Sequence, residues 1–254
     1  MGTWHPRRFG TVFEELQNKY MKERLTFNTL IELSKTVNYP FSLEPVNGDS
    51  LKFTNHHHPW SIRETEAEIL HNTIVKNNLQ RGFEICTGVG ISSLVTGNAF
   101  SNTGGKLVTI DAYVEESFNL CSSYDINTKI VKKPESADGY KMTNYLISKL
   151  GIEKYVVLDI GWSPDDVPSI YKKHYGDQKI DYAFIDGGHS VDQIDADVQV
   201  LLPHLSDNAV IFFHDYLCVG NHTIELVKQN GFSNFKDYKT LYQLTAYSRG
   251  NITL

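Results

Sequence analysis

The sequence of 254 residues predicts an α/β fold in which a doubly wound, mainly parallel sheet ends in an antiparallel hairpin. Two patterns predict this class. Short apolar runs of strand length alternate with segments of helix length between about residues 82 and 213, as in β–α–β crossovers. Near the C-terminus, two further strand-like runs follow each other closely, which is typical of a hairpin at the edge of a sheet.

The N-terminal part, residues 1–60, is predicted to be a helical extension followed by a loop. From about residue 9 to residue 37, apolar residues recur at the spacing of an amphipathic helix. The stretch that follows contains three prolines and is predicted to be irregular. It includes the adjacent His56, His57 and His58, whose side chains cannot all face one way, so a polar loop is favoured over a metal site.

Residues 61–254 are predicted to form the main domain. It begins with a helix, because Ser61 and Glu64 have the spacing of a capping box and apolar residues then share one helical face. The five predicted strands that follow are GFEIC (82–86), KLVTID (106–111), YVVLDI (155–160), DYAFID (181–186) and AVIFF (209–213). The terminal hairpin pairs FSNFKDY with LYQLTAYS, which are separated by little more than Lys239 and Thr240.

Composition argues against several classes of protein. No run approaches the ~20 consecutive apolar residues of a membrane helix, and the first ten residues lack the apolar core of a secretory signal. Three irregularly spaced cysteines favour a reducing compartment, and a cytoplasmic location is expected. The formal charge of −6 gives no reason to expect a nucleic acid as partner. A small-molecule ligand is expected, and assembly of identical copies is left open.

A loop after the first strand of the main domain, EICTGVGISS (84–93), predicts a cofactor site. Its glycines at 88 and 90 let the backbone approach a ligand closely, and the helix that follows offers free N–H groups. Asp111, about twenty residues further on, is expected to accept two ribose hydroxyls. The candidate cofactor-binding residues of this region are Glu84, Cys86, Thr87, Gly88, Gly90, Ser92, Asp111 and Ala112.

The composition of this loop indicates which cofactor is expected. A dinucleotide fingerprint needs a third glycine, but Ser93 stands at that position. The nearby Glu84 suits a cofactor without pyrophosphate, such as S-adenosylmethionine (SAM), whose cationic sulfonium benefits from carboxylates. Two alternatives remain: an NAD-dependent oxidoreductase, which would share the sheet, the loop and Asp111, and a non-catalytic cofactor-binding protein.

From about residue 61 to 248 the chain resembles class I SAM-dependent methyltransferases, and more narrowly the group similar to macrocin-type sugar O-methyltransferases and cephalosporin hydroxylase-like proteins. The family loop E-x-G-x-G-x-G is matched at Glu84, Gly88 and Gly90, with Cys86 in place of the first glycine. The motif D-G-x-H is matched at 186–189 and H-D at 214–215.

This resemblance implies a Rossmann-like sheet of seven strands in the order 3-2-1-4-5-7-6. It also implies that the protein transfers a methyl group to an oxygen of a hydroxylated small molecule. Gly161 and Trp162 follow the third strand, where related enzymes contact adenine, so both are candidate cofactor residues. Trp162 is equally compatible with a place in the core.

Asp186, at the end of the fourth strand, and Asp215, just after the fifth, can share one hard divalent cation. The resemblance implies that such a cation, magnesium or manganese, holds hydroxyls of the acceptor and that Asp186 also lies beside the cofactor. His214 is a candidate third ligand, which would favour manganese, iron or zinc over magnesium. His189 lies just before the N-terminus of a helix capped by Ser190. His189 and Asp186 are the catalytic candidates, with His189 as general base.

Overall fold

The computed structural model describes residues 23–36, 42–46, 49–54, 61–112 and 138–254. The predicted helical pattern before residue 23, the run His56–His58 and Cys121 lie outside the described residues. Within the described ranges, no helix is both long and apolar enough to cross a membrane.

The elements follow one another in the order that the alternating pattern predicts. The helices of the described residues are α1 (Phe27–Lys35), α2 (Glu64–Lys76), α3 (Ile91–Thr103), α4 (Asp138–Leu150), α5 (Val167–Tyr175), α6 (Val191–Leu201) and α7 (Asn221–Gln229). The strands are β1 (Leu43–Val46), β2 (Ser50–Phe53), β3 (Arg81–Ile85), β4 (Lys106–Asp111), β5 (Val156–Ile160), β6 (Ile180–Ile185), β7 (Leu205–Phe213), β8 (Asn234–Asp237) and β9 (Thr245–Arg249). Short 3-10 helices follow α6 and β7.

The main sheet has seven strands in the order β5-β4-β3-β6-β7-β9-β8. Strands β3 to β7 run parallel to one another, and β9 runs antiparallel to both β7 and β8. Counted from β3, this is the predicted order 3-2-1-4-5-7-6, and the predicted fold class is confirmed.

Each face of the sheet carries its own hydrophobic core. Along β6, Tyr182 and Phe184 pack with α1 to α4, whereas Ala183 and Ile185 pack with α5 to α7. Successive residues of a strand point to opposite faces, so a strand covered on both sides is apolar at most of its positions. All six residues of β6 are buried, and Asp181 among them keeps a small exposed fraction. The sheet thereby becomes a rigid support for the loops at its carboxyl edge.

The described N-terminal segments pack on the same core as the main domain. Leu25, Leu30, Leu43 and Leu51 belong to one buried cluster with α2, α3 and α4. The stretch predicted to be irregular contains the antiparallel pair β1–β2. Pro45 is tolerated in β1 because, within the described residues, this short strand pairs on one side only. The division of the chain at residue 60 remains a prediction.

Two local predictions are corrected by the structure. The connection between β8 and β9 spans residues 238–244 rather than two residues, although the strands pair antiparallel as predicted. Helix α2 is preceded by the N-cap Arg63, whose amide donates to the carboxylate of Glu66 rather than to that of Glu64. Ser61 instead donates from its hydroxyl to the carbonyl of Leu51 at 2.8 Å, which fastens β2 to the start of α2.

Candidate active site

The carboxyl ends of the parallel strands meet at one edge of the sheet, and hydrogen bonds of the ladder type continue into the loops beyond them. The amides of Cys86, Asp186 and His214 donate to carbonyls at or next to the ends of neighbouring strands at 2.9, 3.2 and 3.1 Å. Each loop therefore leaves the sheet from a fixed position. Residues from three consecutive strand ends are brought side by side, as the sequence predicts.

The glycine loop has backbone conformations that its glycines permit. Gly88 and Gly90 have φ values of +53° and +80°, and Gly90 is the N-cap of α3. A Cβ atom at Gly90 would lie 2.1 Å from the Oγ1 of Thr143, a buried residue of α4. Close packing against α4 and a left-handed backbone therefore both require glycine here.

Cys86 stands where the family loop has its first glycine, and its backbone keeps a glycine-like conformation with φ of +76°. For a residue with a Cβ, this left-handed conformation costs about 1–2 kcal/mol. Burial raises the pKa of the Cys86 thiol well above its usual value, and the carboxylate of Asp111, 3.5 Å from the sulfur, raises it further. The thiol is therefore neutral and packs as a small side chain.

Asp111 connects the end of β4 to the glycine loop. Its Oδ2 accepts a hydrogen bond from the amide of Gly88 at 2.7 Å. The side chain is partly exposed at the carboxyl edge, and Ala112 beside it is also partly exposed. This is the position from which a carboxylate can reach the hydroxyls of a ribose that lies over the loop.

Three of the predicted cofactor residues lie beneath the loop instead of at its surface. Glu84 is fully buried and accepts hydrogen bonds from the hydroxyls of Ser92 and, at 2.6 Å, Ser93. Burial raises the pKa of Glu84 to about 7, although both serines act in the opposite direction. The Thr87 hydroxyl contacts that of Thr109 at 2.7 Å. The side chains of Glu84, Thr87 and Ser92 thus support the loop and the start of α3, because their polar groups point into the protein.

The loop after β5 lies beside Asp111. The amide of Gly161 donates to the Asp111 carbonyl at 3.0 Å, and a Cβ atom at Gly161 would lie 2.5 Å from Ile170. Trp162 is only partly buried and belongs to neither hydrophobic core, which argues against the alternative of an ordinary core tryptophan. Its amide donates to Asp166 at 2.7 Å, which fixes the backbone of this loop.

The turn after β6 is shaped by two glycines. A Cβ atom at Gly187 would lie 2.9 Å from Oδ2 of Asp197, and one at Gly188 would lie 2.8 Å from Gln193. Ser190 caps α6 as predicted, because its hydroxyl accepts from the amide of Gln193 at 3.2 Å. The Gln193 side chain does not complete a capping box. It donates instead to the Ser163 carbonyl at 3.0 Å and so connects this turn to the loop after β5.

Asp186, His189 and Asp215 come together just beyond β6 and β7. Each offers one ligand atom, and these atoms lie within 4.8 Å of one another. The Nε2 of His189 is 3.3 Å from Oδ2 of Asp215, and its side chain is 54% exposed. The group therefore combines two carboxylates with an imidazole on the solvent side.

His214 lies on the inner side of the same two carboxylates. Its Nδ1 is 3.0 Å from Oδ1 of Asp186 and 3.0 Å from Oδ2 of Asp215, and only 8% of the side chain is exposed. Burial alone would lower the pKa of His214, but the carboxylates around the ring, Asp186 foremost, raise it well above the usual value. In turn, His214 holds the pKa of Asp215 low despite the burial of that carboxyl.

Two buried acids at this site were not predicted. Glu66 of α2 is fully buried, and its Oε2 lies 3.3 Å from Nε2 of His214. Asp197 of α6 is fully buried as well, accepts from Ser163 and Gln193, and has its pKa raised to about 6 by burial. Helical spacing indicates that Asp197 shares a face with apolar residues of α6, but no local pattern relates Glu66 to a residue 148 positions later.

Comparisons with known proteins agree with this architecture. The family profile described as a methyltransferase domain matches residues 83–216, more than half of the chain. No protein of curated function matches the sequence.

Among solved structures, three similar folds are O-methyltransferases or methyltransferases. The O-methyltransferase TomG from Streptomyces achromogenes, in complex with SAM, has a TM-score of 0.57 at 15% identity, over 97% of this chain and 99% of that one. The O-methyltransferase from Bacillus cereus, with S-adenosylhomocysteine (SAH), has a TM-score of 0.58 at 14% identity, over 94% and 96%. The SAH-bound methyltransferase PaMTH1 from Podospora anserina has a TM-score of 0.57 at 13% identity, over 99% and 100%. At these identities the likeness concerns the fold, whereas the family profile covers the strands and loops that form the site. The chain belongs to the methyltransferase domain family.

Proposed function

We propose that the protein is a SAM-dependent O-methyltransferase that acts on a hydroxylated small molecule such as a sugar or another natural product. One observation carries this proposal. Ile85, at the end of β3, pairs with both Ile110 and Ile185, so the glycine loop and Asp111 lie directly beside the group of Asp186, His189 and Asp215. A methyl donor bound over the ends of β3 and β4 would thus face an acceptor bound over the ends of β6 and β7.

The part of the site at the ends of β3 and β4, with the glycine loop and Asp111, fits SAM better than a dinucleotide. The glycine loop leads into α3 at Gly90, and Asp111 is placed to accept the ribose hydroxyls. Ser93, at the position of the third dinucleotide glycine, donates to the buried Glu84. The loop thus lacks the third glycine that a dinucleotide fingerprint requires. Trp162 is then available to stack on adenine. The SAM and SAH complexes of the similar folds support this assignment.

The carboxylate and imidazole groups at the ends of β6 and β7 fit a divalent metal ion, magnesium or manganese. We propose that Asp186 and Asp215 hold it, with His214 as third ligand. His214 Nδ1 lies 3.0 Å from both carboxylates, so an ion that displaced the proton on Nδ1 would have one imidazole nitrogen and two carboxylate oxygens as neighbouring donors. When bound there, such an ion would orient hydroxyls of the acceptor and lower the pKa of the reacting oxygen.

His189 is the proposed general base. Its exposed imidazole lies on the open side of the carboxylates, and Asp215 at 3.3 Å can stabilise the imidazolium that forms. His189 takes the proton of the acceptor hydroxyl while the oxygen attacks the methyl carbon. The bond from that carbon to sulfur breaks with its electrons passing to sulfur, which gives a methyl ether and SAH.

Calorimetry with SAH and with NAD tests which cofactor binds. A second assay measures transfer of the labelled methyl group of SAM to a panel of sugars and phenols, with and without a chelator. We expect SAH to bind, NAD not to bind, and transfer that the chelator abolishes. Binding of NAD in place of SAH would instead indicate the oxidoreductase. Binding of SAH without metal affinity or transfer to any acceptor would indicate a non-catalytic cofactor-binding protein.

We also propose a cytoplasmic enzyme whose partner is a small molecule and not a nucleic acid, since the chain carries a formal charge of −6 and the described Cys86 and Cys218 are free thiols. Native mass spectrometry would give the number of copies per assembly, which the sequence leaves open.

A further inference from the structure

We infer that Glu66 is a positioning residue that sets the orientation of His214 and thereby completes the metal site. This inference rests on the proposed metal-assisted transfer. It adds a residue from α2, which lies outside the strand-end motifs and before the part of the chain that the family profile matches.

Glu66 is placed for this role by the start of its helix. Its Oε2 accepts a hydrogen bond from the amide of Arg63 at 2.8 Å, which fixes the carboxylate at the first turn of α2. The same oxygen lies 3.3 Å from Nε2 of His214, and the Glu66 side chain is fully excluded from solvent. A carboxylate buried this completely needs hydrogen-bond donors, and the Nε2 of His214 is one of them, beside the amide of Arg63 and the hydroxyl of Thr240.

The contact determines which nitrogen of His214 is available to an ion. If an ion displaced the proton on Nδ1, Nε2 would keep its proton for Glu66, and the lone pair available to the ion would lie on Nδ1. That atom is 3.0 Å from both Asp186 and Asp215. Histidines that bind metals generally donate their other N–H to a carboxylate or carbonyl in this way, which fixes both tautomer and ring orientation.

Aromatic neighbours limit the remaining freedom of the ring. The ring centroid of Tyr242 is 5.6 Å from that of His214, and the ring of Phe184 packs edge-on at 6.3 Å. Packing therefore restricts the tilt of the imidazole, and Glu66 selects its rotation and tautomer. With one nitrogen and two carboxylates as donors, the site should prefer manganese to magnesium, because imidazole is a poor ligand for magnesium.

The Glu66→Gln variant tests the inference, because glutamine keeps the volume but lacks the charged acceptor. We expect Mn²⁺ to bind about 10–100-fold more weakly, the range typical for loss of such an outer partner, with the affinity for SAH unchanged. The matched control is Glu64→Gln. This residue lies on the same helix, but its carboxylate binds Arg24 and the amide of Phe27, both at 2.8 Å, and should not affect Mn²⁺ affinity.

A second measurement needs no change at Glu66. Pulsed electron paramagnetic resonance of bound Mn²⁺ should show hyperfine coupling to an imidazole nitrogen in the His189→Ala variant. Among the described residues, His214 is the imidazole left beside Asp186 and Asp215 in that variant. Unchanged Mn²⁺ affinity in Glu66→Gln, or no nitrogen coupling, would overturn the inference. If the unaltered protein bound no Mn²⁺ at all, the metal-assisted function itself would fail, which is a different result.

Discussion

Replacement of His189 with alanine is expected to lower kcat by about 10²–10⁴-fold, the usual contribution of a general base, and to leave the dissociation constant of SAM unchanged. The imidazole is exposed on the side where an acceptor would approach, and its contact is with Asp215 rather than with the glycine loop. Loss of the ring should therefore remove proton transfer without disturbing the cofactor. Initial rates at saturating SAM, together with calorimetry, measure the two effects separately.

His222→Ala is the matched control, because His222 is also an exposed histidine whose ring lies near an aspartate, Asp195, at 2.9 Å. It lies on α7 and should keep the full rate. If His189→Ala turned over at the rate of the unaltered enzyme, His189 would not be the base. If it lost Mn²⁺ affinity in proportion to its rate, His189 would be a metal ligand.

Asp111→Ala is expected to weaken binding of SAM and SAH by at least about 100-fold. A hydrogen bond to a charged acceptor contributes about 1.5–3 kcal/mol, and the variant would lose the acceptor for both ribose hydroxyls. It would also leave the amide of Gly88 without its 2.7 Å partner and so loosen the loop. Asp111→Asn retains one acceptor oxygen, so its affinity for SAH should lie between those of Asp111→Ala and the unaltered protein. Calorimetric titration with SAH measures all three proteins.

Asp181→Ala provides a control for general damage to the sheet. Asp181 accepts hydrogen bonds from the amides of Gln80 and Arg81 at the opposite end of β3. Its loss should lower the unfolding temperature and leave the affinity of correctly folded protein for SAH intact. Equal affinities of Asp111→Ala and the unaltered protein would remove Asp111 from the cofactor site.

The main sheet could be predicted from the sequence because strands covered on both faces are mostly apolar and alternate with amphipathic helices. The prolines of residues 40–59 concealed the pair β1–β2, since a short strand with one free side tolerates proline and its pairing depends on tertiary packing. The cap of α2 was misplaced for a related reason. Ser61 has the spacing of a capping residue, but its hydroxyl is used by β2, a contact made outside the helix.

Parts of the site close to the strand ends were also predictable, because parallel strands place their carboxyl ends at one edge. The roles of individual side chains were less predictable. Glu84 appears beside the glycine loop in the sequence, yet the pleat of β3 turns it towards the buried start of α3. Glu66 comes from a helix 148 positions before His214, and only the folded chain brings the two together.

The measurement that tests the central claim most directly is a crystal structure of the protein grown with SAH and Mn²⁺. We expect the ribose of SAH at the carboxylate of Asp111, its sulfur directed towards the end of β6, and the ion between Asp186 and Asp215. SAH bound away from the carboxyl edge of β3 and β4, or an ion held elsewhere with Asp186 and Asp215 unoccupied, would contradict it.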